Sequence, residues 1–167
     1  GVYVFSPDSL QADPQNYLTY NYNNGKLRSN EIKCIYQDTQ NRIWIGSSGG
    51  GLSMCIPGTD YHNLTFKHYG TSNGLVNDMV QAIAEDKQGN LWIATEYGIS
   101  RFNPETQAFD NYFFSAYTLG NVYSDNSSCV SKNGSLLFGT NYGLLVINPE
   151  QMGNNSVLNS SITFTNL

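Results

Sequence analysis

The chain has 167 residues, 40% hydrophobic and 13% aromatic, a composition that excludes a disordered segment and is long enough to bury a real core. Only 13% are charged, the net charge is −5 and no Lys/Arg cluster occurs, so the electrostatic footprint of a nucleic-acid binder is missing. No apolar run approaches the roughly 20 residues that span a bilayer, and the opening GVYVFSPDSL lacks the basic region and long apolar core of a signal peptide.

One phrase recurs along the chain: NRIWIGSSGG at residues 41–50, GNLWIATEYG at 89–98 and GSLLFGTNYG at 134–143. Its anchor positions are Trp44, Trp92 and Leu137, 48 and 45 residues apart, and such a period decides the architecture before any local reading does. In chain order, residues 1–27 open on GVYVFSP, which aligns with GISRFNP at 98–104, and so form the second half of a unit. Residues 28–74 are a full unit, in which 30–38, 42–46 and 51–54 match 78–86, 90–94 and 98–101 of the next.

That next unit, 75–120, shows the grammar best. Val80, Ala82 and Ala84 alternate with Gln81, Ile83 and Glu85, residues 86–90 supply turn chemistry, and 91–95 is a short apolar β-rich run. A glycine turn at 96–98, a run over 99–103, a turn at 104–106 and a last run over 108–112 complete four short antiparallel strands. Residues 121–156 are a divergent last copy, with 128–131 standing where 83–86 stood and GSLLFGTNYGLLVINPE restoring the pattern. Four-stranded units of this length, each with a Trp-like anchor and a glycine per hairpin, predict an all-β fold of β-propeller blades, a partial ring of about 3.5 blades. A β-sandwich would lack the 47-residue echo, and a helical solenoid would need apolar residues at helical spacing.

Cys34, Cys55 and Cys129 lack the paired spacing of a zinc site and are expected to be buried packing residues. Trp44 and Trp92 fall at inter-blade core positions and are left out of any site. Glu85 and Asp86 are adjacent on a strand and point to opposite faces, so they cannot flank a scissile glycosidic bond; Asp86 repeats Asp38 as a turn residue. His62 and His68 have no evident carboxylate or cysteine partner, no nucleophile elbow or phosphate-cradling loop occurs, and no catalytic residue, metal or cofactor is expected.

The pattern N-x-I/V-x-x-I-x-x-D, then G-N-L-W-I-G/A-T, then Y-G-I-x-R-F-N-P closely resembles the repeats of two-component regulator propellers. It rests on Asn30, Ile32, Ile35 and Asp38, on Val80, Ile83 and Asp86, and on Gly89, Leu91, Trp92, Ile93, Thr95, Gly98, Phe102, Asn103 and Pro104. Asp78, Ala94 and Leu137 depart from it, where Asn, Gly and Trp are usual. The resemblance implies the C-terminal blades of the second propeller in the periplasmic sensor of an inner-membrane hybrid histidine kinase of the Bacteroides type. It also implies oligosaccharide sensing, control of polysaccharide-utilisation genes, no catalysis in this segment, and an immunoglobulin-like domain whose entry strand is residues 157–167.

Strand connectivity puts the loops before each first strand on one rim with those between the second and third strands. The candidate ligand residues there are Arg28, Asn30, Asn77, Asp78, Glu96, Tyr97, Asn141 and Tyr142, because amide, carboxylate and aromatic groups side by side suit sugar recognition. Their competing role is local: Asn and Asp at turn starts commonly bond their own backbone. An incomplete ring leaves two apolar blade faces open, so self-association of the segment, as a dimer of about seven blades, is expected. Two other readings remain, a propeller lyase resembling the streptogramin lyases and a protein-interaction propeller.

Overall fold

β-Branched and aromatic runs separated by Gly, Asn and Pro turns give, among the described residues, thirteen strands in four antiparallel sheets. The computed structural model describes residues 1–56, 64–113 and 122–152. β1 (Val2–Val4) and β2 (Leu18–Tyr20) pair as a two-stranded half-blade. Blade 1 is β3 (Ile32–Gln37), β4 (Ile43–Ser47), β5 (Gly51–Ile56) and β6 (Thr65–Tyr69), joined in sequence order. Blade 2 repeats this with β7 (Val80–Glu85), β8 (Leu91–Thr95), β9 (Ile99–Phe102) and β10 (Phe109–Tyr112). Blade 3 has β11 (Tyr123–Val130), β12 (Leu136–Thr140) and β13 (Gly143–Ile147). Residues 157–167 and His62 lie outside the described residues.

The second strands of blades 1 and 2, β4 and β8, are apolar on both faces because each face meets a different neighbour. Trp44, Leu52, Ile83, Leu91, Ile93 and Phe102 form one cluster between blades 1 and 2. Ala84, Trp92, Ile99, Leu136, Phe138 and Leu145 form another between blades 2 and 3. Tyr20, Leu27 and Ile45 join the half-blade to blade 1. Burying an aromatic or branched side chain contributes about 2 kcal/mol, so these blade-to-blade clusters dominate cohesion.

The first hairpin of every blade closes the same way. The amides of Asn41, Gly89 and Gly134 donate to the carbonyls of Asp38, Asp86 and Ser131 at 2.9, 3.0 and 2.9 Å. All three donors have positive φ, which Gly adopts freely and Asn tolerates through its short polar side chain. Gly46 has no room for a Cβ, which would sit 2.5 Å from both Cys34 Sγ and Val80 Cγ1; at the equivalent pair in blade 2 Ala94 faces the smaller Ala82. Small residues therefore trade places across the first two strands, which is how the chain tolerates alanine at 94.

Three features differ from the sequence expectations. The strict alternation of β7 is broken: Val80 pairs Thr95 but Ala82 pairs Ala94, so Gln81 is an extra residue, as Lys33 is between Ile32 and Cys34 on β3. These are β-bulges, and they turn one side chain off the ladder in each of blades 1 and 2. The turn after the third strand becomes a helix in the half-blade, α1 (Pro7–Ala12), where Pro7 supplies a pre-set φ and the six residues bury nothing. Cys34 and Cys55 are buried as expected, with burial pushing the Cys34 thiol up to about 12, but Cys129 is exposed. It occupies the place of Ala84, on the flank of blade 3 that no described residue covers.

Candidate functional site: the blade rim

The rim is built by one hydrogen bond repeated in every blade. The amides of Ser48, Glu96 and Asn141, at the tips of the second hairpins, donate to the carbonyls of Glu31, Met79 and Val122, which precede the first strands, at 2.9, 3.2 and 3.1 Å. A hydroxyl braces each tip: Ser47, Thr95 and Thr140 donate to the carbonyls of Gly51, Gly98 and Gly143 at 3.3, 2.8 and 3.0 Å. The loops expected to share a face therefore do so, held by local bonds that leave their outward side chains free of ladder duty.

Between blades 1 and 2 the rim opens a cavity of about 300 Å³ lined by Glu31, Lys33, Ser48, Met79, Val80, Gln81 and Glu96. The two bulge residues, Lys33 and Gln81, face into it, and Gln81 Oε1 is buried with no hydrogen-bond partner among the described residues. An orphaned buried acceptor is costly and wants an N–H or O–H donor. Lys33 Nζ lies 2.8 Å from Glu31 and 3.0 Å from Asp125, which sits in the irregular stretch of β11. Hydrogen bonds from Lys33 and then Ser48 hold the Glu31 carboxyl below its usual value, and Lys33 is raised in turn by Glu31 and then Asp125. The site thus offers carboxylate and amide acceptors, one cation and a thioether.

The predicted site residues divide. Of the eight, Glu96 lines the cavity. Tyr97 stands out from the same tip, 61% exposed, its ring edge-on to Phe113 with centroids 5.9 Å apart. Tyr142 is 72% exposed on blade 3, beside Asn141. Three others are occupied locally: Asn77 Oδ1 accepts the Met79 amide at 2.8 Å, and Asn30 Oδ1 accepts the Tyr22 amide at 2.8 Å. Asp78 accepts the amide and hydroxyl of Thr71 at 2.8 and 3.2 Å and shares the surroundings of Gly70 with Arg28. Asn30 also lines a separate cleft of about 200 Å³ with Tyr3, Thr19 and Asn21.

Among the lining residues, Glu31, Lys33, Met79 and Gln81 were missed. For Lys33 and Gln81 the signal was weak, a polar residue interrupting two apolar strands at the same place, and reading it required the bulge. Glu85 is structural: its carboxylate accepts the amide and hydroxyl of Thr39 at 2.8 and 2.7 Å, tying the turn of blade 1 to blade 2. His68 is engaged with Ser53, and no group of three His, Cys, Asp or Glu suited to a metal ion occurs among the described residues.

The comparisons agree with this architecture. A family model described as two component regulator propeller matches residues 26–49 and 74–97. The extracellular domain of the hybrid two-component system BT3049 from B. thetaiotaomicron is 28% identical with a TM-score of 0.71 over 83% of this chain and 18% of that one. That of BT4673 from the same organism is 26% identical with a TM-score of 0.61, over 82% and 19%. Histidine kinase P4 of Formosa agariphila is 26% identical over 151 residues, 64% of this chain and 11% of that protein. The chain thus spans about a fifth or less of these relatives.

Proposed function

We propose that this chain, which the two component regulator propeller model matches over residues 26–49 and 74–97, is part of the extracytoplasmic ligand-sensing region of a hybrid two-component histidine kinase. Its ligand is an oligosaccharide, its own role is binding rather than catalysis, and the parent protein converts occupancy into transcription of polysaccharide-utilisation genes. The likeness to extracellular domains of two hybrid systems supports the location, and the kinase relative supports the output.

The observation that carries the ligand reading is the rim cavity with the unpartnered Gln81 Oε1. Sugar hydroxyls both donate and accept: they would donate to Gln81 and Glu96 and accept from Lys33, while the exposed Tyr97 ring offers an apolar face beside them. The walls come from two blades, Glu31, Lys33 and Ser48 from one and Met79, Gln81 and Glu96 from the other. A ligand that touches both walls favours one placement of the blades over another, and only such differential affinity can send a signal.

Isothermal titration of the intact sensor against neutral and acidic oligosaccharides tests this. A saccharide that binds, and whose affinity falls at least about tenfold in Glu96→Ala, a loss of about 1.4 kcal/mol, is the expected result. Binding that Glu96→Ala and Gln81→Leu both leave unchanged would place the ligand elsewhere, and a panel with no binder would remove the saccharide reading. The exposed rings of Tyr97, Phe113 and Tyr142 favour one second reading, a protein partner on the same rim. Tyr97→Ser and Tyr142→Ser that weaken such a partner while sparing saccharide binding would select it.

A further inference from the structure

The polar groups of the rim cavity are not equally free. Lys33 Nζ carries three N–H donors, and two of them are engaged, by Glu31 at 2.8 Å and by Asp125 of blade 3 at 3.0 Å. The Ser48 hydroxyl donates to Met79 Sδ at 3.5 Å, so its proton is taken up within the wall. The groups that still call for a partner are acceptors. Gln81 Oε1 is buried and unpartnered, and the Glu96 carboxylate bonds nothing among the described residues. The charge has the same sense: Glu31 and Glu96 line the cavity and Asp125 adjoins it, while Lys33 is the only cation lining it among the described residues.

We infer that this cavity selects a saccharide bearing a free amino group, whose ammonium is held by Gln81 and Glu96. The inference rests on the saccharide reading above and gives it a chemical class. A hydroxyl carries one proton and serves Gln81 or Glu96, not both at once, whereas an ammonium carries three and serves both with one to spare. The ammonium also adds the attraction of opposite charges at Glu96, which a hydroxyl lacks. The charge of Lys33 does not oppose this, because two carboxylates within 3.0 Å offset it.

Other saccharide classes fit less well for the same reasons. A uronic acid brings a carboxylate toward Glu96 and finds one N–H of Lys33 as its charged donor. An N-acetylated amine keeps one N–H but loses the charge, and its carbonyl adds an acceptor where acceptors are already in excess. A volume of about 300 Å³ is the small end of ligand pockets, which run from about 300 to 1,000 Å³, so the cavity takes one sugar residue of a longer chain. Met79 and Val80 give that residue's C–H face an apolar wall.

Isothermal titration of the intact sensor at about pH 6.5, below the value of about 8 at which such an amine titrates, tests this. The probes are β-1,4-linked trimers of glucosamine, N-acetylglucosamine and glucose, and the galactosamine and galactose pair. At least one amino trimer is expected to bind about tenfold or more tighter than its hydroxyl counterpart, with the N-acetylated trimer no better than the hydroxyl one. Glu96 is an exposed tip residue, and Glu96→Gln keeps its size and an acceptor while removing the charge. That variant should erase most of the preference and leave the hydroxyl trimer nearly unchanged. Equal affinity within both pairs, no binding of either amino trimer, or a preference that survives Glu96→Gln would overturn the inference. Binding confined to neutral or acidic saccharides would sink it while leaving the saccharide reading standing; a sensor that binds no saccharide of any class would remove both.

Discussion

The indole nitrogen of Trp92 donates to Asp86 Oδ2 at 2.8 Å, and Trp44 makes the identical bond to Asp38 at 2.8 Å, six residues apart in both blades. Each carboxylate also accepts two turn amides, those of Gln40 and Arg42 or of Gln88 and Asn90. In blade 3 both partners change together, to Ser131 and Leu137, so no buried indole N–H is left without an acceptor. Asp86→Ala is therefore expected to cost about 3 kcal/mol, because it orphans a buried donor and opens the turn. The double variant Asp86→Ser with Trp92→Leu should be less damaging than the sum of its single variants by about 1 to 2 kcal/mol, measured by urea unfolding. Additive costs would show that the pair is not a unit.

Acid should weaken blade 1 through Asp38. Burial opposes its ionisation, but the bonds from Trp44 and Arg42 outweigh that and hold its carboxyl below the ordinary value of 3.8. A carboxylate with a lowered folded value contributes stability that is complete above its unfolded value and is lost as pH falls through the folded one. Unfolding free energy measured from about pH 6 to 3 is expected to fall mainly below about pH 4, and less steeply in Asp38→Asn.

Gly51 separates space from backbone strain. Its φ is +70°, and a Cβ would collide with the Tyr69 carbonyl oxygen, whereas Gly49 at φ +74° has open space around it. Gly49→Ala should lose about 1 kcal/mol from the left-handed conformation alone, and Gly51→Ala clearly more, on the order of 3 kcal/mol, since β5 must also move away from β6. Equal thermal shifts in the two variants would mean that the edge of β5 yields easily.

The open blade faces should drive association of the 167-residue chain. Ile35 is 52% exposed while its repeat partner Ile83, covered by blade 1, is 2% exposed, and Leu144 and Val146 are exposed on the far flank. Light scattering on a size-exclusion column is expected to give a mass near 37 kDa, twice 18.5 kDa, reduced by Ile35→Asn with Leu144→Asn. A wild-type mass of 18.5 kDa would show that the flanks stay apart.

The blade grammar was legible in the residues alone: the period, the four strands of blades 1 and 2, the tryptophans as core rather than platform, and Asp38 and Asp86 as turn residues. These are legible because the bonds involved close within about six residues, so pattern and turn chemistry specify them locally. The shared rim was also legible, since strand connectivity dictates it, but its contents were only partly so. Glu96 belongs to the cavity, whereas Asn30, Asn77 and Asp78 are committed to nearby backbone. Only the tertiary structure shows that Lys33 and Gln81 leave their ladders at bulges, that Lys33 reaches Asp125 on another blade, that Cys129 is exposed, and that His68 pairs with Ser53. Each depends on what a neighbouring strand or blade places opposite a side chain, and contacts between residues 15 to 92 positions apart leave no periodic trace in the chain.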